Sequence, residues 1–352
     1  MHTRKSEKGT TRTTARIFGH RSRGLEYIYA KGRTYAILFH ISEAAMCTSN
    51  PNVSPDAKEF FAKSIGGNLT KITWAHAVNS KAKLAEALGN DKVMMLEADV
   101  VMGTVNDTTN NSTDKVPIMG HPPDIEGDLS LEEFLETVLA DGKHGIKLDF
   151  KSLEAFNGSR SMLEKHRANM TFPVWLNADI LAGPVDADTT DTKPVEARDF
   201  LLGAAASLPE STLSIGWTTR YGSKFNVVKG SYTEEQTKKM IAAIAESNTK
   251  QSITYPVRAG LAANSITVLS NLLKNTSANR PTLTIWSSEN DTVDAAALSN
   301  LVKEIGVDKV YIDVPEDLWA ELDLSSAAQS AAATSFVLVG SVIATLAIAK
   351  LV

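Results

Sequence analysis

Two short patterns carry the chain's most chemically suggestive residues: Glu97-Ala98-Asp99 and Asp149-Phe150-Lys151. Each lies in an apolar run, VMMLEADV (93–100) and GIKLDF (145–150). Alternate side chains of an extended strand share a face, so Glu97 points with Asp99, and Lys147 with Asp149 and Lys151. Leu96, Ala98, Leu148 and Phe150 then face the other way. Carboxylates gathered on one buried face repel one another and are costly without a partner. A hard divalent cation, Mg²⁺ or Ca²⁺, prefers oxygen ligands and relieves that cost, which makes Glu97, Asp99 and Asp149 candidate metal ligands. An ion-pair network with Lys147 and Lys151 is the alternative partner. Two histidines end neighbouring apolar runs, His76 after ITWA and His121 after VPIMG. At the rim of an acidic site they could serve as general acid and general base, with Lys151 holding a phosphate oxygen. This is equipment for metal-assisted cleavage of a phosphodiester.

The elements that must position these groups follow from hydrophobic patterning. Eight brief apolar runs rich in β-formers read as strands: 72–77, 93–100, 145–150, 172–178, 213–218, 252–257, 283–287 and 310–314. Helical patterns fall between them at 79–89, 130–141, 152–168, 195–207, 233–247, 261–275 and 292–306. Asn79-Ser80 can cap the first, and Ser130 the second with Glu133 completing a capping box. Strict alternation implies parallel strands with crossover helices, and eight units predict an α/β fold, a (β/α)8 TIM barrel over residues 56–324. A ninth run, VPIMG (116–120), follows a polar stretch with no helix between. It predicts a small antiparallel excursion after the second strand. Function in such a barrel gathers where strands end. Asn177, Asp179, Trp217, Tyr255 and Arg258 lie at later strand ends and are expected to line the pocket, whereas Trp286 reads equally as core or pocket wall. His144 and His166 read as surface residues, and Glu132, Glu133 and Glu136 as a solvated helix face.

Composition narrows the setting. Net charge is −5, which offers no basic field for nucleic acid. Cys47 is the sole cysteine, so the chain has no internal disulfide framework. The end of the chain, Phe336 to Val352, is a predominantly apolar run interrupted by Ser341, Thr345 and Lys350, and it follows an Ala/Ser-rich stretch. Residues 325–352 therefore read as linker and hydrophobic anchor signal. Small residues ahead of an apolar tail suit a cleavable lipid anchor with Ser325 or Ser326 as attachment site; a tail helix is the alternative. Asn-X-Ser/Thr occurs at Asn52, Asn68, Asn106, Asn110, Asn111, Asn157, Asn169, Asn275 and Asn290. With 19 Asn in the chain, chance predicts about three such sites, so the excess favours an extracellular or luminal domain. Residues 1–55 begin with a basic stretch. The apolar segment from Tyr35 to Met46 suits the core of a signal peptide, although His40 and Glu43 interrupt it.

The set His76, Glu97-x-Asp99 and His121 resembles the pattern of the glycerophosphodiester phosphodiesterase and sphingomyelinase D superfamily. That resemblance implies a (β/α)8 barrel, acid/base roles for the two histidines and a Mg²⁺ or Ca²⁺ site at the acidic pair. Asp149-x-Lys151 is similar to the strand-three metal ligand and lysine of sphingomyelinase D, and Trp286 to a late-strand tryptophan. The superfamily's first His is followed by Arg-Gly, whose Arg helps hold phosphate. Here His76 is followed by Ala77-Val78-Asn79, so that contact is lost unless Lys147, Lys151 or Arg258 replaces it. Over residues 72–290, WAHAVNS, LEADV, MGHPP, GIKLDFKS, WLNADILAGP, LSIGWTT, YPVRAG and LTIWSSEN resemble the FAM151, or menorin-like, family. That resemblance implies a cell-surface cofactor for neurite or dendrite patterning that works with adhesion proteins and receptors. An active phosphodiesterase on phospholipid or glycerophosphodiester is the alternative.

Overall fold

The computed structural model describes residues 25–30, 33–38, 50, 52–106 and 114–325. It divides into Met1–Thr48 and Ser49–Val352. In the first unit, β1 (Leu25–Ala30) pairs antiparallel with β2 (Arg33–Leu38). The second strand takes in the start of the apolar segment that the sequence offers as a signal-peptide core. The rest of that segment, the C-terminal tail with Ser326, and the sequons Asn110 and Asn111 lie outside the described residues. Among those described, no helix is long and apolar enough to cross a membrane.

The second unit is built on eight parallel strands in the order β3 (Trp74–Ala75), β4 (Met95–Val105), β7 (Gly145–Phe150), β8 (Val174–Ala182), β9 (Thr212–Thr218), β10 (Ile253–Arg258), β11 (Thr282–Trp286) and β12 (Val310–Asp313). These are the eight runs expected from patterning. The helices between them are α3 (Lys81–Leu88), α4 (Leu131–Asp141), α5 (Leu153–His166), α6 (Ala197–Ser207), α7 (Glu234–Glu246), α8 (Ala259–Ala262) with α9 (Ile266–Asn275), and α10 (Ala295–Ile305). After β12 comes α11 (Glu316–Glu321). Parallel strands joined by helical crossovers give a mixed α/β barrel.

The barrel is nearly closed. No ladder joins β12 to β3, but interior side chains bridge the seam. Trp175 on β8 packs edge-on against Trp74 at 5.4 Å and Tyr311 at 4.8 Å. These three rings, with Met95, form an aromatic layer near the N-terminal starts of the strands. Beneath it pack Phe61, Ile65, Leu69 and Ile72, from α1 (Ala57–Phe60), α2 (Ala62–Ile65) and the turn that follows. Patterning gave no sign of these short helices, because four residues are too few to show a helical period.

Caps differ in detail from expectation. Ser80 and Ser130 cap α3 and α4 as predicted, through Lys83 and Glu133 amides. The Glu133 carboxylate, however, ion-pairs with Lys81 at 2.7 Å. The full capping box forms instead at α7, between Thr233 and Gln236. His144 and His166 are not surface residues. Each imidazole is buried against a carboxylate, His144 on Asp141 at 2.7 Å and His166 on Glu132 at 3.2 Å. A half-polar ring can be buried once a neighbour satisfies it, which composition alone does not reveal.

The excursion after the second strand is present as β5 (Val116–Met119), antiparallel to β4, and a short β6 (Glu126–Gly127) parallel to its far end. The loop between them crosses β4 at Gly103, where the Thr104 amide donates to the Ile125 carbonyl at 2.9 Å. A Cβ at Gly103 would fall 2.9 Å from the Ile125 carbonyl carbon and closer still to its oxygen. Backbone cannot swing aside as a side chain can. Gly103→Ala is therefore expected to destabilise the domain by about 1–3 kcal/mol. Thermal unfolding should show a midpoint about 2–4 °C lower per kcal/mol in a domain of this size; an unchanged midpoint would show that the loop does not lie on β4.

Candidate functional site

The C-terminal mouth of the barrel gathers the acidic residues. On β4 and β7, Glu97 lies beside Lys147 and Asp99 beside Asp149, and Asn177 of β8 follows Asp149. Carboxylate oxygens of Glu97, Asp99 and Asp149 all fall within 4.8 Å of one another. Glu97 and Asp99 are 2% and 4% exposed. Burial, together with the charges of Asp99 and Asp149, pushes the Glu97 carboxyl up, against the opposing pull of His76 and Lys147.

Each carboxylate is held by a different neighbour. The Ala77 amide donates to Glu97 Oε2 at 2.9 Å. Asn79 grips Asp99 twice: its Nδ2 donates to Oδ2 at 2.7 Å, and its Oδ1 accepts from the Asp99 amide at 2.9 Å. The sequence suggested Asn79 only as part of a helix cap, so this role was missed; it requires knowing that the loop after β3 lies on β4. Asn177 Nδ2 donates to Asp149 Oδ1 at 2.6 Å, while its own Oδ1 accepts from Ser214. Lys151 Nζ bridges Asp99 at 2.6 Å and Asp149 at 2.5 Å. Burial would lower the ammonium's pKa, but these anions reverse that and hold it protonated. Burial likewise would raise Asp149, and the charges of Lys151 and Lys147 more than offset it, so its carboxyl is pulled down.

His76 stands at the seam, with Nδ1 at 3.3 Å from both Glu97 Oε2 and Asp313 Oδ2. Asp313 closes β12 and escaped the sequence reading, since only closure of the barrel brings residues 76 and 313 together. Desolvation would lower the imidazole, but Glu97's charge and Asp313's hydrogen bond and charge outweigh it, and its pKa is raised to about 9. The side chain is 61% exposed, so water screens part of that attraction. His121 lies beyond the excursion, exposed, two residues after Met119. The neighbouring Gly120 amide donates to the Asp99 carbonyl at 3.0 Å, which brings the loop to the mouth. His121 Nδ1 lies 2.7 Å from the Pro122 carbonyl. A carbonyl can only accept, so Nδ1 carries the proton there and the lone pair of the neutral ring sits on Nε2.

Other expected pocket residues separate. Lys147 enters the mouth, 5% exposed, with Nζ 5.9 Å from the Trp74 ring centroid. Arg258 is pinned by Asp291 through Nε at 2.8 Å and Nη2 at 2.9 Å, with Thr219 and Ser288 hydroxyls alongside. Its guanidinium stacks on Trp286 at 4.9 Å, so Trp286 serves as a platform for this loop clamp. Trp217 and Tyr255 do not line the mouth. Both belong to the buried core, Trp217 packs on Tyr232 at 5.3 Å, and the Tyr255 hydroxyl donates to Thr276 at the end of α9. Ser214 and Gly216 on β9 are the inward neighbours, as their contacts with Asn177 and Asp179 show. The strand is buried on both faces, so no polar alternation marked which way Trp217 points.

The donor set fits a hard divalent ion: three carboxylates, oxygen only, from two adjacent strands. Lys151 supplies positive charge to the same oxygens. Asp179 stands apart: its side chain makes no hydrogen bond or ion pair among the described residues, while its backbone carbonyl accepts from the Val195 amide at 2.8 Å. Burial and then the charge of Asp149 raise its pKa to about 7.

The menorin N-terminal domain family matches residues 68–319. Human protein FAM151B is 37% identical over 246 residues, covering 70% of this chain and 83% of its own length. The crystal structure of a glycerophosphodiester phosphodiesterase from Parabacteroides distasonis overlaps 71% of this chain and 96% of its own at 12% identity, with a TM-score of 0.37. The barrel assignment stands on the strand ladder itself.

A buried acid with a raised pKa destabilises the fold once ionised. The Asp179 penalty is absent below the unfolded pKa near 3.8 and grows as pH rises towards 7. Asp179→Asn is therefore expected to stabilise the metal-free protein by about 2 kcal/mol at pH 8, and by little at pH 4. Urea unfolding in EDTA across that range checks this; a pH-independent difference would contradict it.

Proposed function

This chain belongs to the menorin family, and from that membership and the acid cluster of the barrel mouth we propose that it binds Mg²⁺ or Ca²⁺ there and cleaves a phosphodiester, of a phospholipid or a glycerophosphodiester. The observation that carries the reading is the convergence of Glu97, Asp99 and Asp149 oxygens within 4.8 Å. Those three side chains would hold the ion. When bound, such an ion polarises a phosphoryl oxygen and offsets the negative charge that develops in the reaction.

The chain's own groups divide the proton work. His76, protonated and held through Nδ1 by Glu97 and Asp313, suits the general acid, giving its Nε2 proton to the leaving oxygen. His121, with Nε2 as its free lone pair, suits the general base that takes a proton from the attacking hydroxyl or water. Asn79 and Asn177 orient Asp99 and Asp149, Lys151 bridges the two, and its charge holds the Asp149 carboxyl down.

Glu97→Gln removes one ligand charge without changing volume. We expect it to weaken metal binding about 10–100-fold and to abolish hydrolysis of glycerophosphodiester and lysophospholipid headgroups, read by metal analysis of the purified protein and by released product. Wild-type protein that holds metal but releases no product with Mg²⁺ or Ca²⁺ would refute cleavage of these substrates.

A second reading concerns where the barrel is displayed. Asn52, Asn106, Asn157, Asn169, Asn275 and Asn290 are exposed, as glycan acceptors must be. They favour a cell-surface protein, held by its apolar C-terminal segment and partnering adhesion proteins or receptors in neurite or dendrite patterning. Phosphatidylinositol-specific phospholipase C should release the domain from intact cells if the anchor is lipid; retention on the membrane would point to a tail helix.

A further inference from the structure

The sequence leaves three basic side chains to replace the phosphate contact that Ala77 cannot make: Lys147, Lys151 and Arg258. The structure separates them by what each already holds. Lys151 is committed to Asp99 and Asp149 at 2.6 and 2.5 Å. Arg258 is committed to Asp291 through the Nε–Nη2 edge of its guanidinium, and Thr219 and Ser288 take two further N–H donors. Lys147 makes no side-chain hydrogen bond and no ion pair among the described residues, although 95% of it is buried, its exposure being 5%. We propose that Lys147 is the anion-accepting residue of the mouth, its Nζ taking a phosphate oxygen of the bound ligand.

This rests on the phosphodiester reading and adds to it the residue that recognises the phosphate. The placement supports it on three counts. Lys147 is the ladder partner of Glu97 on one side and Trp175 on the other, so it stands between the acid cluster and the aromatic layer. Its ammonium has the face of Trp74 near it, which offers a cation some attraction but accepts no directed hydrogen bonds as an oxygen does. A buried ammonium needs acceptors in place of the water it lost. An apolar residue would fill this barrel layer at lower cost. A ligand with several anionic oxygens supplies the missing acceptors and can share another oxygen with the cation site.

The neighbouring carboxylates make the binding conditional. Glu97 and Asp149 flank Lys147 on β4 and β7, and an anion approaching it meets their charge unless a divalent ion has neutralised them. Phosphate binding should therefore depend on both Lys147 and metal.

The test uses the full chain saturated with Mg²⁺, titrated by calorimetry with inorganic phosphate and, separately, with glycerophosphocholine. Wild type should bind phosphate, and bind it more weakly in EDTA. Lys147→Met, close in shape and without charge, should lose about tenfold or more in affinity, while Lys147→Arg, which keeps the charge, should lose less than Lys147→Met. Mg²⁺ occupancy of Lys147→Met should equal or exceed that of wild type, which a merely misfolded variant would not show; Lys147→Gln is the second variant should the first fail to fold. Equal binding of free phosphate and the diester assigns the contact to the phosphate alone; tighter binding of the diester adds a contact to its alcohols. Unchanged phosphate affinity in Lys147→Met, or none in metal-loaded wild type, overturns the proposal. Lys147-dependent phosphate binding without turnover would keep it and refute the cleavage reading instead.

Discussion

Burying three carboxylates against one another at the open end of a parallel barrel is the constraint around which this domain is organised. Left to themselves, Glu97, Asp99 and Asp149 would take up protons or drive the strands apart. The chain instead assigns each a donor: the Ala77 amide, the Asn79 side chain and Asn177, with Lys151 across the last two. Amide donors orient an anion without cancelling its charge. That distinction separates a site built to hold a cation from an ion-pair network built only for stability. Lys151 is the part that belongs to both descriptions. Its ammonium bridges Asp99 and Asp149, holds the Asp149 carboxyl down, and competes for the same oxygens.

The rest of the barrel can be read as support for that cluster. Trp74, Trp175 and Tyr311 fill the interior below it and tie the two strands that no ladder joins. The His76–Asp313 contact ties the same seam above it. The excursion does the equivalent work on the other flank, where Gly103 lets the loop bearing His121 lie directly on β4. Chemistry and closure thus share residues: loosening the seam would displace the imidazole, and filling Gly103 would displace the excursion.

How much of this was legible in the sequence depended on whether a pattern recurred locally. Eight strands announced themselves because each is a short apolar run between turn residues. Glu97 and Asp99 announced themselves because acids on an apolar strand are anomalous. Strand direction failed where both faces are buried: Trp217 and Tyr255 turn towards the helices, while the small Ser214 and Gly216 take the interior. Partners brought together only by closure, such as His76 and Asp313, have no local trace. Asn79 had a trace that pointed elsewhere, since an asparagine before a helix reads first as a cap. Histidines 144 and 166 misled for the converse reason: a carboxylate one turn or one helix away makes burial tolerable.

The formal charges of the mouth explain why its parts act as a unit. Glu97, Asp99, Asp149 and Asp313 face His76, Lys147 and Lys151, four anions against three cations, with Asp179 able to stay neutral up to about pH 7. Such a site is mildly hostile to a phosphate ester even though it contains two lysines. With a divalent ion bound, the sign reverses and the same walls attract the ester. Lys151 and His76 are already engaged by carboxylates, so the gain falls mainly to Lys147, whose ammonium makes no hydrogen bond or ion pair among the described residues. A cation and an anion that each remove the obstacle to the other bind cooperatively without any movement of the backbone. Under the proposed function, this coupling is how a chain of net charge −5 would select phosphate at one point of the rim.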